Sequence, residues 1–219
     1  MIRMTTRRML RALPVLAHDM PSFDPSDVPA EPTALFADWL AAAVDAGVDE
    51  PHAMTVSTVD ADGAPDARVL ILKDLDSAGW HFASSSASAK GRQLARNPRT
   101  ALSFHWREQG RQVRVRGTAR PADPAVSRQD FLARPEGSRI ATLAGRQSAV
   151  LTDRAELDRE LAEVRARLAG DPDLVADTHT VYVVAPETVE FWQADRERRH
   201  VRLRYRRGAA GWAREQLWP

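Results

Sequence analysis

The strongest constraint on this chain's fold is a succession of short β-prone runs, each closed by a turn signal. Met54–Val59 and Ala67–Leu72 flank Asp60-Ala-Asp-Gly63, and Asp76-Ser-Ala-Gly79 precedes a third run, Trp80–Ala83. Thr100–Trp106 and Arg111–Thr118 form another hairpin, and Val181–Val184, Thr188–Trp192, Val201–Arg206 and Gly211–Leu217 follow. Helical spacing falls between these runs. Pro32 opens a helix with Leu35, Phe36, Trp39, Leu40 and Val44 on one face, ending at Gly47; Ser88 caps Ala89–Arg96, which Asn97-Pro98 terminates. Two more helices are expected over Pro124–Ala133 and Asp153–Leu168. Antiparallel strands with helices at intervals predict a mainly β protein, an antiparallel β-barrel with peripheral helices rather than a doubly wound sheet. Residues 1–30, Pro- and Asp-rich after a basic start, read as an irregular N-terminal arm, and residues 31–219 as a single domain.

Composition narrows the chemistry. A net charge of +1 exerts no whole-molecule pull on nucleic acid or an anionic membrane. With no cysteine, disulfides, thiolate catalysis and Cys-based metal sites are excluded, and the cytoplasm is the expected compartment. Thr6-Arg7-Arg8-Met9-Leu10-Arg11 resembles a twin-arginine signal, but Pro14 interrupts the short apolar segment after it, so export is not expected. No run approaches the ~18 apolar residues of a membrane span. Histidines 18, 52, 81, 105, 179 and 200 show no ligand spacing, so no metal is expected. Gly-x-Gly-x-x-Gly, Walker and Gly-x-Ser-x-Gly motifs are all missing.

What remains are polar residues where strands usually prefer apolar ones. Arg68-Val-Leu-Ile-Leu-Lys73 carries a cation at each end, and alternation sends the two to opposite faces. Lys90 and Arg92 occupy a first helical turn, where the dipole favours anions; they are either solvated cations or part of an anion site. Gln112, Arg114 and Arg116 form a polar row opposite Arg111, Val113, Val115 and Gly117. Gln147 and Ser148 offer amide and hydroxyl groups in a loop between helices. Trp192 supplies an aromatic wall near Arg198, His200 and Arg202, which share a parity.

In this order, these residues resemble the pyridoxine (pyridoxamine) 5′-phosphate oxidase family of FMN-dependent enzymes. The likeness runs from about Pro29 to Pro219 and also includes Ala133-Arg-Pro-Glu-Gly-Ser138 and Glu190-Phe-Trp-Gln193. It implies a homodimer of split β-barrels with FMN at the interface. It implies FMN contacts from Arg68, Val69, Leu70, Ile71, Leu72, Lys73, Ala83, Ser84, Lys90, Gln112, Gln147, Ser148, Trp192 and Arg202. A substrate-phosphate site is implied at Lys73, Arg134 and Ser138, with Arg198 and His200 as catalytic residues over the pyridine ring. The implied reaction converts pyridoxine or pyridoxamine 5′-phosphate to pyridoxal 5′-phosphate, with O2 as acceptor and H2O2 as product.

The chain also departs from the family pattern. Asp130 stands where the family usually places a Tyr on the substrate phosphate, and a carboxylate touching that dianion would be repelled by several kcal/mol at an effective dielectric of ~20. Either Asp130 points away, or the ligand is not that phosphate. Ala83-Ser84 replaces a Tyr-Thr pair, Ala89 an Arg, and Ala176-Asp-Thr-His-Thr180 an aromatic-Gly-Gly segment. The family's Tyr-containing arm is absent from Pro14–Pro29. Two alternatives stay open: an FMN oxidase of a non-phosphorylated aromatic metabolite, like the phenazine-biosynthesis oxidases, or a non-catalytic protein binding flavin or pyridoxal phosphate.

Overall fold

The computed structural model describes residues 5–17 and 19–219; residues 1–4 of the expected arm and His18 lie outside the described residues. The strands are β1 (Ala53–Val59), β2 (Pro65–Asp76), β3 (Gly79–Ser85), β4 (Arg99–Trp106), β5 (Arg111–Pro121), β6 (His179–Gln193), β7 (Val201–Gly208) and β8 (Gly211–Gln216). The helices are α1 (Thr6–Ala12), α2 (Pro32–Asp45), α3 (Ala89–Arg96), α4 (Pro124–Leu132), α5 (Glu136–Leu143) and α6 (Arg154–Gly170). Strand order is β3-β2-β1-β4-β5-β6-β7-β8, and β3 also pairs with β6. β1 to β6 therefore close into an antiparallel barrel, and β7 and β8 extend from β6. The expected mainly β barrel with peripheral helices is the fold observed.

Alternation fills the barrel. On β5 the odd-numbered Val113 and Val115 are fully buried while Arg114 and Arg116 face out, which is the polar row expected. α2 closes one side, with Phe36 edge-on to Trp80 at 5.5 Å and to Phe104 at 4.7 Å, and Trp39 edge-on to Phe191 at 5.2 Å. Burying each such ring stabilises the fold by about 1.5–3 kcal/mol. Ala43 is buried and Val44 exposed, contrary to the expected face. Ala43 follows Trp39 by one turn, whereas Val44 lies about 100° further round. The buried guanidinium of Arg111 sits 4.1 Å over the Trp39 ring, and burial lowers its pKa to about 10.

Three local readings need correction. The two late runs before Trp192 are one strand, β6, because Pro186 sits where the β5–β6 register shifts between Arg116 and Gly117. A bulge tolerates a residue without an N–H. It also needs glycine opposite, since a Cβ on Gly117 would lie 2.0 Å from the Ala185 carbonyl oxygen. α5 was not expected; its signals are Pro135 at the N-cap, Glu136 in the first turn and buried Ile140. Within the arm read as irregular, α1 is helical with no buried residue, while the following segment is docked. Phe23 packs edge-on against Trp39 at 4.9 Å, and the Tyr205 hydroxyl donates to the Pro29 carbonyl at 2.8 Å.

Candidate active site

β2 lies between two groups of cations. Arg68 and Lys73 do leave the strand on opposite faces. Arg68 turns to β1, donating to Thr58 Oγ1 at 2.7 Å and to the Val56 carbonyl at 3.2 Å, and it pairs with Asp66. Lys73 turns the other way. The β2–β3 register shifts between Leu72 and Asp74, leaving Lys73 as the extra residue of a bulge that aims its side chain outward. Leu72 is in the core, while Val69 and Ile71 stay exposed, 65% and 38% respectively.

Lys73 opens into a cavity of about 720 Å³, a size suited to a small-molecule ligand. Its walls come from Val69, Leu70 and Ile71 on β2, Ala83 and Ser84 on β3, and Lys90 on α3. Asp130, Arg134, Ser138 and Gln147 line it from α4, α5 and the loop beyond, and His179 from β6. Of the residues predicted for the site, Arg68, Leu72, Gln112, Ser148, Trp192, Arg198, His200 and Arg202 are not in its wall.

Lys90 is held by the turn that starts α3. The Ser88 hydroxyl donates to the Ser85 carbonyl at 2.7 Å and accepts from the Gly91 N–H at 3.2 Å, making it the N-cap. Gly91 is required there, because a Cβ would lie 2.4 Å from the Ser86 carbonyl oxygen. Lys90 is only 6% exposed; its ammonium meets Ser88 Oγ at 3.4 Å, and no carboxylate pairs with it among the described residues. Burial lowers its pKa, Arg68 lowers it further, and Asp66 partly opposes both. A buried ammonium at a helix N-terminus, open to a cavity, is a site for an anion.

The second set of cations is arranged differently. Arg134 donates to Thr142 Oγ1 at 2.7 Å, and burial lowers its pKa against the pull of Asp130. Asp130 faces the cavity, with Lys73 at 3.0 Å on one oxygen and His179 Nε2 at 2.8 Å on the other. Burial raises the Asp130 carboxyl, but the bonds from His179 and Lys73 outweigh it and hold the carboxyl below its usual range. Burial lowers His179, with the Asp130 bond opposing. Of the two alternatives left open for Asp130, the one in which it points away is not the arrangement seen: the carboxylate lines the cavity. His179 was not anticipated as part of the site; nothing local in its sequence marks it, and it joins Asp130 only through the packing of α4 on β6.

A second cluster lies on β5–β7. Gln112 and Arg202 each stand opposite Trp192 in register, and the His200 ring lies 4.8 Å from the Trp192 ring. His200 Nδ1 accepts from the Asp195 N–H at 3.0 Å, which places the proton of the neutral ring on Nε2. Arg202 is bound to Glu190 at 2.9 Å and to the Trp218 carbonyl at 2.9 Å. Arg198 and Ser148 both adopt left-handed backbone, with φ of 66° and 73°. Such strain in non-glycine residues concentrates at functional sites.

Comparisons with known proteins match this chain over most of its length. The sequence model described as pyridoxamine 5′-phosphate oxidase matches residues 40–168, and that described as the pyridoxine 5′-phosphate oxidase C-terminal dimerisation region matches residues 179–219. A pyridoxine/pyridoxamine 5′-phosphate oxidase of Pseudomonas paraeruginosa is 43% identical over 196 residues, 89% of this chain and 91% of that protein. One from Salinibacter ruber is 41% identical, covering 86% of this chain and 89% of its own length. Among solved structures, PhzG from Burkholderia lata in complex with tetrahydrophenazine-1-carboxylic acid superposes with a TM-score of 0.87 at 32% identity, covering 93% of this chain and 100% of that one. An FMN-binding, pyridoxamine 5′-phosphate oxidase-related protein of Nostoc punctiforme shares the fold, with a TM-score of 0.70 at 14% identity over 86% of this chain and 98% of that one. With both sequence models matched in order and relatives this similar over most of its length, the chain belongs to the pyridoxamine 5′-phosphate oxidase family.

Proposed function

We propose that this protein is an FMN-dependent oxidase converting pyridoxine or pyridoxamine 5′-phosphate to pyridoxal 5′-phosphate, with O2 as acceptor and H2O2 as product. The observation that carries the reading is one cavity lined by two differently partnered sets of cations, Lys90 beside Ser88 in one and Lys73 and Arg134, with Ser138, in the other. A flavin phosphate and a substrate phosphate each need such a set. The donor set fits FMN: a buried ammonium with no carboxylate in contact among the described residues, the first turn of α3, the Ser84 hydroxyl and the Gln147 amide. When bound, FMN supplies hydride acceptance from the substrate's C4′ carbon and passes the electrons on to O2.

The chain's own residues bind and orient. Lys90 and the α3 N-terminus hold the flavin phosphate, and Val69, Leu70 and Ile71 with Ala83 and Ser84 flank the flavin. Lys73, Arg134 and Ser138 hold the substrate phosphate. The cluster of Gln112, Trp192, Arg198, His200 and Arg202 lies outside this cavity, on β5, β6, β7 and the loop between β6 and β7, and all but Gln112 fall in the matched dimerisation region. A second copy of the chain is the natural way to bring it there, covering the exposed Val69 and Ile71 and completing the site with Ser148 at its rim. His200 then presents Nε2–H, and Arg198 its cation, to the pyridine ring. Both offset charge and fix orientation, and neither has to remove a proton.

FMN-loaded protein given pyridoxine 5′-phosphate is expected to release peroxide and pyridoxal 5′-phosphate in equal amounts, and Arg198→Ala to abolish turnover. Protein that stays colourless with micromolar FMN would overturn the reading. A second reading, oxidation of a non-phosphorylated aromatic substrate, is favoured by one observation: Asp130 already pairs with Lys73. It predicts that Lys73→Ala, Arg134→Ala and Ser138→Ala leave turnover of the true substrate unchanged. A flavin-binding protein that releases no peroxide with any substrate would be non-catalytic.

A further inference from the structure

We propose that Asp130 is a specificity-determining residue, an internal anion that competes with a ligand's phosphate for Lys73. As a result the cavity discriminates only weakly between phosphorylated and unphosphorylated pyridines. The proposal deepens the oxidase reading and rests on it for the choice of ligand.

Both Asp130 oxygens are engaged, one by Lys73 at 3.0 Å and the other by His179 at 2.8 Å. Three elements thus hold the carboxylate where it lines the cavity: α4 carries it, β2 and β6 clamp it. The Asp130 side chain is 18% exposed and that of His179 only 3%, so the pair is largely shielded from the solvent screening that weakens surface ion pairs. The charged and titratable groups facing this end are Lys73 from β2, Arg134 after α4, Asp130 from α4 and His179 from β6. With the imidazole neutral, two cations and one anion leave a single net positive charge for an incoming dianion. At Lys90 no carboxylate makes contact among the described residues, and Asp66 acts only through the longer-range field. Replacing Asp130 by Asn keeps the shape and an acceptor for His179 while restoring the second positive charge.

The test compares FMN-loaded wild type and Asp130→Asn by equilibrium binding of pyridoxal 5′-phosphate, pyridoxal and inorganic phosphate. Binding of pyridoxal 5′-phosphate and of inorganic phosphate should tighten about tenfold or more in the variant, ~1.4 kcal/mol. Pyridoxal and FMN binding should stay within about twofold, a pattern that a general loosening of the structure does not produce. Unchanged or weaker pyridoxal 5′-phosphate binding would overturn the proposal and make Asp130 a residue that positions Lys73. An equal gain for pyridoxal would overturn it too, as would failure of both proteins to bind either phosphate ligand. Asp130→Ser is a second variant with the same expected order, should Asp130→Asn lose the wild-type unfolding transition. If the binding order holds while wild type turns over no pyridoxine 5′-phosphate, the oxidase reading fails and the charge competition stands.

Discussion

Lys90 and Lys73 line the same cavity and differ in their company. Lys90 is nearly buried, sits in the first turn of α3 and has no carboxylate in contact among the described residues; Lys73 is about one-third exposed, leaves β2 at a bulge and is paired with Asp130. The first site stores an unmet demand for negative charge, and the second meets much of its own. A cavity with these two ends should bind one anion as a resident and exchange the other, as an enzyme with a fixed cofactor and a passing substrate requires.

The largest expected effect is at the unpaired end. Lys90→Ala should weaken FMN binding about 10- to 100-fold, the loss of a charge-assisted bond worth ~1.5–3 kcal/mol. The same change should raise the Tm of the FMN-free protein by about 2–4 °C, since it removes a desolvated charge at a gain of ~1 kcal/mol. A fall in both quantities would mean that Lys90 is structural. Gly91→Ala tests the turn rather than the charge. Its Cβ would lie 2.4 and 2.5 Å from the Ser86 and Ser85 carbonyl oxygens, and the strain should cost roughly 1–3 kcal/mol, read in thermal unfolding together with weaker FMN binding. At the paired end, Arg134→Ala should raise the KM for pyridoxine 5′-phosphate about tenfold at saturating FMN and change kcat little, as expected for uniform binding. An unchanged KM would favour the non-phosphorylated substrate.

The smallest effect is a pH slope. Burial lowers His179 below 6.5, so as pH falls through 6.5 the unfolded chain takes up a proton that the folded chain resists, and stability declines. Asp130 acts later: its carboxyl is held below 3.8, and the stability it contributes above that value is lost only as pH falls further. His179→Gln keeps a donor for Asp130 without a titrating group, so Tm should vary less between pH 7 and pH 5 than in wild type. An unchanged slope would exclude His179 as its source.

The two ends were not equally legible in the sequence. The Lys90 end is local: Ser88, Lys90 and Gly91 belong to one capped turn, and the helix over Ala89–Arg96 follows from Ser88 and Asn97-Pro98. The opposite faces of Arg68 and Lys73 follow from strand alternation, which also gave the buried Val113 and Val115. The paired end is not local. Asp130 and His179 are 49 positions apart, and only the packing of α4 on β6 joins them. The bulge at Lys73 and the continuity of β6 through Pro186 depend on pairing partners that no short window contains. Trp192, Arg198 and His200 form a recognisable motif, yet they stand outside the cavity of a single chain, and no sequence pattern states how two copies meet.

The most direct test is a crossover between the two lysines. FMN dissociation constants, and KM values for pyridoxine 5′-phosphate at saturating FMN, would be measured for wild type, Lys90→Ala and Lys73→Ala. If the cavity holds flavin phosphate at one end and substrate phosphate at the other, Lys90→Ala moves chiefly the FMN constant and Lys73→Ala chiefly the KM. Equal movement of both constants by either variant, or the reverse assignment, would contradict a cavity divided between two anions.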